Sequence, residues 1–398
     1  MIELKAADLQ APPSISALQN KALGIGIIGI AASVAGYLTD PKAATESYLL
    51  AFIYWVAFPL GSLGLMMVHH LSGGGWGMPV RRIFEASART LPYMAILGVP
   101  LLFGMHHLYE WTDAAHVAAD PILVQKQAYL NVPFFIARYA LYFVIWSGLA
   151  YTLSGWSRRQ DTEPYVAGSE RKFRLLSGPG ILLYAVASTF AVVDWLMSLD
   201  PHWFSTIFGL LFLIQQALAA IGFVLLLMSS LTKTLPMSRI VRKDDIHDYG
   251  KFLLCFVMVW AYFSFSQFLI IWSANLPEEI PWYLDRMSHG WEWFSILLIV
   301  GQFFLPFFLL LSRDLKRTVG RVAIVGALVL VMRYVDFYWN VMPALHHETP
   351  MPHWTNLATL VGLGGVWVSL FASQYKASPV LPIGDPYLPE ALARHGAH

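Results

Sequence analysis

Five ionisable residues fall inside long apolar runs of this sequence: Arg138, Asp194, Glu292, Arg333 and Asp336. A charge at mid-bilayer costs about 2.5–3.5 kcal/mol even on a lenient insertion scale, so residues of this kind mark function by default. Asp194 has no cation within a helical turn and must be protonated, paired across helices or wetted. Protonated, it is a proton relay; paired, it is a strut between helices. Arg333 and Asp336 are spaced i, i+3, where an ion pair is the default. Asp200 and His202, just past Asp194, would carry a relay out to bulk water. Ser264 and Gln267 share a helical face, Gln215, Gln216 and Gln302 lie mid-run, and Tyr139, Tyr334 and Tyr338 flank the charges. His69 and His70 close an earlier run at its other end, where a proton would be taken up. The chemistry that these types suit is proton transfer. The plainer reading makes Ser and Gln ordinary glue between membrane helices.

The elements that hold these residues follow from composition. The chain has 398 residues, 57% hydrophobic and 13% charged. The charged share is about half that of a soluble globular chain, and no soluble core could bury so much apolar surface. A bilayer core of about 30 Å needs roughly 20 apolar residues per helix. Ten stretches qualify, about 22–38, 47–70, 89–108, 133–153, 176–198, 205–230, 250–273, 291–312, 320–340 and 355–374. The first is short and Gly-rich, and the third is softened by Pro92 and Pro100. The runs are too long for barrel strands. The expected fold is an all-α integral membrane protein with ten transmembrane helices.

An even count puts both termini on one side. Of the 26 Lys and Arg, Lys42, Lys126 and Arg286 fall in the opposite loops and Arg138 and Arg333 inside spans, leaving 21 on the terminal side. The positive-inside bias makes that side cytoplasmic. The polar N-terminus lacks the basic-then-apolar order of a cleaved signal, so the first span is expected to be retained. The outer loops carry eight of the thirteen His, with Trp111, Trp203, Trp282 and Trp354. They make either an interfacial aromatic belt or a docking surface for an outer partner.

Redox centres are hard to place on this chain. Its one cysteine, Cys255, cannot build an iron–sulfur cluster, a zinc knuckle or an internal disulfide, and there is no C-x-x-C-H for covalent haem. No span offers the facing His pair that haem b needs. His346, His347, Glu348 and His353 have a ligand-like composition, but they sit on an outer loop and no metal is expected there. The net charge of +1 supplies no basic field for nucleic acid.

Gly178 leads by sixteen residues to Asp194 in Val-Asp-Trp, and Gly320 leads by sixteen to Asp336 in Val-Asp-Phe. They lie on spans 5 and 9, an even four steps apart, so the two run in the same direction. This suits a parallel repeat of two four-helix bundles, spans 2–5 and 6–9, with spans 1 and 10 outside. The expected divisions are a cytoplasmic segment 1–21, a peripheral span 22–46 and bundles 47–198 and 199–340. An outer loop with span 10 at 341–374 and a cytoplasmic tail 375–398 complete the chain.

The span count, paired bundles and orientation resemble the NrfD/PsrC-type membrane subunits of bacterial quinone-linked redox complexes. More closely, Phe190-Ala-Val-Val-Asp-Trp-Leu-Met-Ser-Leu-Asp-Pro-His-Trp-Phe204 is similar to the F subunits of alternative complex III. So is His69-His-Leu-Ser-Gly-Gly-Gly-Trp-Gly77, followed by Pro-Val-Arg-Arg-Ile-Phe-Glu. The resemblance covers about residues 20 to 375. It implies a bacterial inner-membrane subunit of a quinol:electron-acceptor (cytochrome c) oxidoreductase, holding no redox centre itself. Quinol or quinone and membrane lipids would be its non-covalent ligands. The implied partners are a homologous ten-helix quinol-binding subunit, an outer-face iron–sulfur subunit and c-type cytochrome subunits, with a terminal oxidase as a further candidate. Iron–sulfur clusters and haem c would sit on those partners. It also implies a proton route here, mapped onto Asp194, Asp200, His202, Arg333 and Asp336, with His69 inside. A stand-alone secondary transporter and a purely structural anchor are the competing readings.

Overall fold

A computed structural model describes residues 5–163, 168–346, 350, 352–386 and 388. Among them every regular element is helical. Ten helices are long and apolar enough to cross a membrane: α1 Pro13–Thr39, α2 Pro41–Ser72, α3 Arg81–Phe103, α4 Val132–Gln160, α5 Arg171–Leu199, α6 Phe208–Leu231, α7 Lys243–Ala274, α8 Glu292–Leu311, α9 Val319–Leu345 and α10 Trp354–Lys376. Each lies over one of the ten stretches expected from hydropathy. The protein is a multi-pass, all-α membrane protein. The side on which α1 begins and α10 ends is called the near side below, and the opposite side the far side.

Helices α2–α5 form one four-helix bundle and α6–α9 the other, joined mainly where α2 meets α6 and α9 and where α5 meets α6. The two central helices, α2 and α6, are the most buried spans. They cross closely at Gly61, where a Cβ would lie 1.9 Å from the Gln216 carbonyl oxygen. Outside the bundles, α1 and α10 pair with each other and rest on α2. The glycines of the first span explain that pairing. A Cβ on Gly29 would come within 2.5 Å of the Gly362 backbone, and one on Gly365 within 2.5 Å of Gly26. In lipid, where apolar faces gain nothing by leaving solvent, such small-residue seams let helices approach closely enough for dispersion to hold them.

Two spans are interrupted beside prolines, while α5 ends its α-helix at Trp195 and finishes in a 3-10 turn, Met197–Leu199. α3 is built from Arg81–Ala88, Leu91–Leu97 and Val99–Phe103, with Pro92 and Pro100 inside the first turns of the later pieces. Two backbone carbonyls left over at the second break, those of Ala95 and Leu97, accept the hydroxyls of Tyr139 and Tyr48, each at 2.7 Å. In α8, Leu298–Phe304 is π-helical between Glu292–Leu297 and Leu305–Leu311. Pro306 has no N–H to give Gln302 its α-helical bond, and the wider turn accommodates the break.

Candidate functional site

The intramembrane charges form two separate centres, one in each bundle. In the first, the Arg138 guanidinium on α4 grips Asp194 on α5 through two bonds, Nε to Oδ2 at 2.8 Å and Nη2 to Oδ1 at 2.9 Å. Tyr142 donates its hydroxyl to Oδ2 at 2.6 Å. The third guanidinium nitrogen donates to the Tyr129 carbonyl at 2.9 Å, and the cation faces the rings of Tyr129 at 3.8 Å and Phe134 at 4.2 Å. Both charged residues are buried. Two-pronged geometry of this kind is the strongest form of carboxylate recognition, and it satisfies Asp194. Of the states open to Asp194 from sequence, the structure holds the cross-helix pair.

The second centre has the same acid at the equivalent place but an incomplete shell. Arg333 Nη1 donates to Asp336 Oδ2 at 2.8 Å along α9, and Gln215 of α6 donates to the same oxygen. Asn340, one turn on, donates to the Asp336 backbone carbonyl at 2.7 Å. Arg333 is fully buried, yet Nε and Nη2 have no protein hydrogen-bond partner, and the cation lies 5.1 Å from the Trp260 ring centre. Both amide atoms of the fully buried Gln302, in the π-turn of α8, also lack a protein partner, as do Asn340 Oδ1 and Trp260 Nε1. Buried polar groups are nearly always bonded, so the two guanidinium nitrogens left over beside Asp336 make this centre less saturated than the first, although unpartnered buried atoms, the Tyr129 hydroxyl among them, occur in both bundles.

Above this centre lies a residue that sequence reasoning counted only as a loop charge. Arg286, on the far-side connection between α7 and α8, is 1% exposed. It donates to the carbonyls of Trp339 at 3.1 Å, Asn340 at 2.9 Å and Trp282 at 2.8 Å, and stacks on the Trp282 ring at 3.5 Å. Pro343 inside α9 leaves the Trp339 carbonyl without its helical donor, and Arg286 supplies one. Burial pushes its pKa down to about 9, against the opposing field of Asp200. The detectable signal was the proline, which frees a carbonyl four residues back.

The remaining proposed route residues are dispersed. His202 pairs with Asp120 at 2.6 Å on the far surface, and Asp200 accepts the His202 backbone N–H at 3.2 Å. The Ile122 backbone N–H, helped by His202, holds the Asp120 carboxyl below the usual range. Glu292 is the first residue of α8 and accepts the Gly290 N–H at 2.8 Å, so it caps its own turn at the membrane edge. Gln267 is buried between Ser205 at 3.1 Å and the Tyr283 hydroxyl at 3.4 Å. Ser264, on the same helix, is partly exposed. Tyr338 stacks on Phe294 with ring centres 5.3 Å apart. His69 lies at the near end of α2, packed so tightly on Gly77 that a Cβ there would meet its ring at 2.2 Å; its Nδ1 has no protein partner. The loop residues His347 and Glu348 lie outside the described residues. Among the described residues no group of three His, Cys, Asp or Glu is placed to hold a metal ion.

The near side holds a buried ion network. Arg81 donates to Glu85 at 3.0 Å and to Asp385; Arg82 donates to Glu85 at 2.6 Å, to Ser157 at 3.2 Å and to Asp161. These residues tie α3, the end of α4 and the C-terminal segment together. Sequence reading counted the arginines only toward orientation.

The fold and the paired centres define the class: a ten-helix membrane protein built of two four-helix bundles, each burying an acid–arginine pair. No family model matches the chain, and no curated protein is a significant match.

Proposed function

We propose that this chain is a membrane subunit of a quinol:electron-acceptor (cytochrome c) oxidoreductase complex in a bacterial inner membrane. It supports the assembly and lines a proton path coupled to quinol oxidation. Electron-carrying groups belong to partner subunits, on this reading, and the chain's own chemistry is proton transfer. The observation that carries the reading is the unequal state of the two acids. Asp194 is saturated by Arg138 and Tyr142, as a strut between helices is. Asp336 is bonded to two buried groups with spare hydrogen-bonding capacity, Arg333 and Asn340, as a relay requires. The path then runs from the near side, where His69 lies, through the second bundle and out past Asp336. Its outer end lies under Arg286.

The reading is tested in two steps. Purification in mild detergent should bring down companion proteins with haem and iron–sulfur absorbance; a colourless, homogeneous protein supports the transporter alternative. In proteoliposomes, Asp336→Asn in the assembled complex should keep quinol oxidation and lose proton release. Normal proton release from an intact Asp336→Asn complex removes the relay. The structural-anchor reading keeps one specific observation in its favour, the saturated Arg138–Asp194 pair, and it then applies to the first bundle.

A further inference from the structure

We propose that the far-side halves of α1, α2, α3 and α10 form a binding site for one acyl chain of a phospholipid. Between these helices lies a cavity of about 630 Å³ whose walls include Ile27, Ile30 and Val34 of α1, Tyr48 of α2, and Leu97 and Leu101 of α3. Its origin is geometric. The glycine seam draws α1 against α10, and the break in α3 at Pro100 interrupts the wall on the other side. A wedge is left between them, with α2 as its floor. Ile27 and Val34 are 60% and 56% exposed, so the wedge opens sideways toward the hydrocarbon of the bilayer.

The chemistry of the lining selects the occupant. Every partly or fully buried hydroxyl on the walls is already committed to a backbone carbonyl: Ser33 to Gly29 at 2.8 Å, Thr45 to Pro41 at 2.7 Å, Tyr48 to Leu97 at 2.7 Å and Thr359 to Thr355 at 2.7 Å. A quinone ring buried here would find among the wall hydroxyls only that of Tyr37, a residue 46% exposed, and a carbonyl left unpaired is expensive in such a place. A saturated chain asks for nothing but apolar contact. The cavity lies within the ~300–1,000 Å³ range of small-molecule sites. Above it, Lys42 is exposed on the first turn of α2, at the level of a phosphodiester, while Asp40 is occupied in capping the Ala43 N–H at 3.0 Å. An anionic phospholipid with its headgroup at the far surface and one tail in the wedge fits both ends.

The test uses the full chain, with its companions where they co-purify, in nanodiscs of an anionic phospholipid. A phospholipid carrying a diazirine on one acyl chain is photolysed and the labelled peptides are mapped. Labelling concentrated on Ile27, Ile30 and Leu101 is the expected result; labelling spread equally over lipid-facing Ile28 and Leu38 means annular lipid only and overturns the site. Native mass spectrometry of delipidated protein should show one retained phospholipid, lost in Ala31→Trp/Leu97→Trp and kept in the control Ile25→Trp. Retention by the filled variant, or a retained isoprenoid quinone mass in place of phospholipid, also overturns it. The photolabelling arm stands on wild-type protein, so a filled variant that fails to fold leaves the question decided.

Discussion

Replacing Asp194 by Asn isolates what the first centre does. The substitution keeps the shape and removes the charge, leaving Arg138 buried and 7% exposed at the side chain without its counter-ion. Breaking one partner of a buried ion pair typically costs about 3–5 kcal/mol, because the remaining charge is left uncompensated. The lower end applies here. Arg138 keeps the Tyr129 carbonyl and two aromatic faces, and the Asn amide still accepts one bond. A loss of about 3 kcal/mol is expected, read as a lowered unfolding midpoint in detergent. The double variant Arg138→Met/Asp194→Leu removes both charges together, and apolar replacement of a whole buried pair is often neutral or stabilising. It should recover the midpoint and, in the assembled complex, leave proton release unchanged. A recovered midpoint together with abolished proton release would refute the reasoning, because Asp194 would then be doing chemistry that its saturated shell argues against. An unchanged midpoint in the single Asp194→Asn variant would refute it from the other side.

Three further outcomes follow from the packing. Arg82→Ala takes the guanidinium from Asp161 and leaves Glu85 with Arg81 alone; a loss of about 3 kcal/mol, the low end for a broken buried pair, is expected, with faster proteolysis near residues 380–386. Gly362→Leu forces a side chain into the Gly29 backbone and should cost about 1–3 kcal/mol by overpacking, while Gly24→Leu, where a Cβ meets nothing within 4 Å, should be silent in the same melting assay. His346 bridges the far end of α9 to Glu46 of α2 at 2.7 Å, and that bond raises its pKa above the ordinary 6.5. The pair's contribution is therefore complete below about 6.5 and disappears as pH rises through the folded-state value. With half the ring in solvent it amounts to no more than about 1 kcal/mol. His346→Gln should flatten the decline in melting midpoint between mildly acidic and mildly alkaline buffer, and an unaltered decline would assign the pH effect elsewhere.

The ten spans, the membrane class and the placing of Arg138, Asp194, Arg333 and Asp336 inside spans were legible in the sequence, whereas Glu292, expected inside a span, stands at the first turn of α8. Their physical causes act along the chain: a helix must satisfy its own backbone in hydrocarbon, so each crossing needs its own apolar run, and a charge inside such a run stands out at once. The Gly-rich first span and the proline-softened third were visible too, as places where regular helix would be altered. The partners were not legible. Arg138 and Asp194 are 56 residues apart and meet only because α4 and α5 pack side by side. Arg333 and Asp336 lie within one turn, yet the local pair leaves most of the guanidinium unsatisfied. Gln302 is buried with both amide atoms unpartnered in the π-helical turn of α8, a setting its sequence neighbours do not announce. Arg286 looked like a loop charge until folding carried it onto the carbonyl that Pro343 releases. Charge cost and hydropathy are properties of a residue and its neighbours in sequence, whereas hydrogen-bond saturation depends on which helix faces which. Tertiary packing therefore decided that one arginine spends every nitrogen on protein partners while the other keeps two without any.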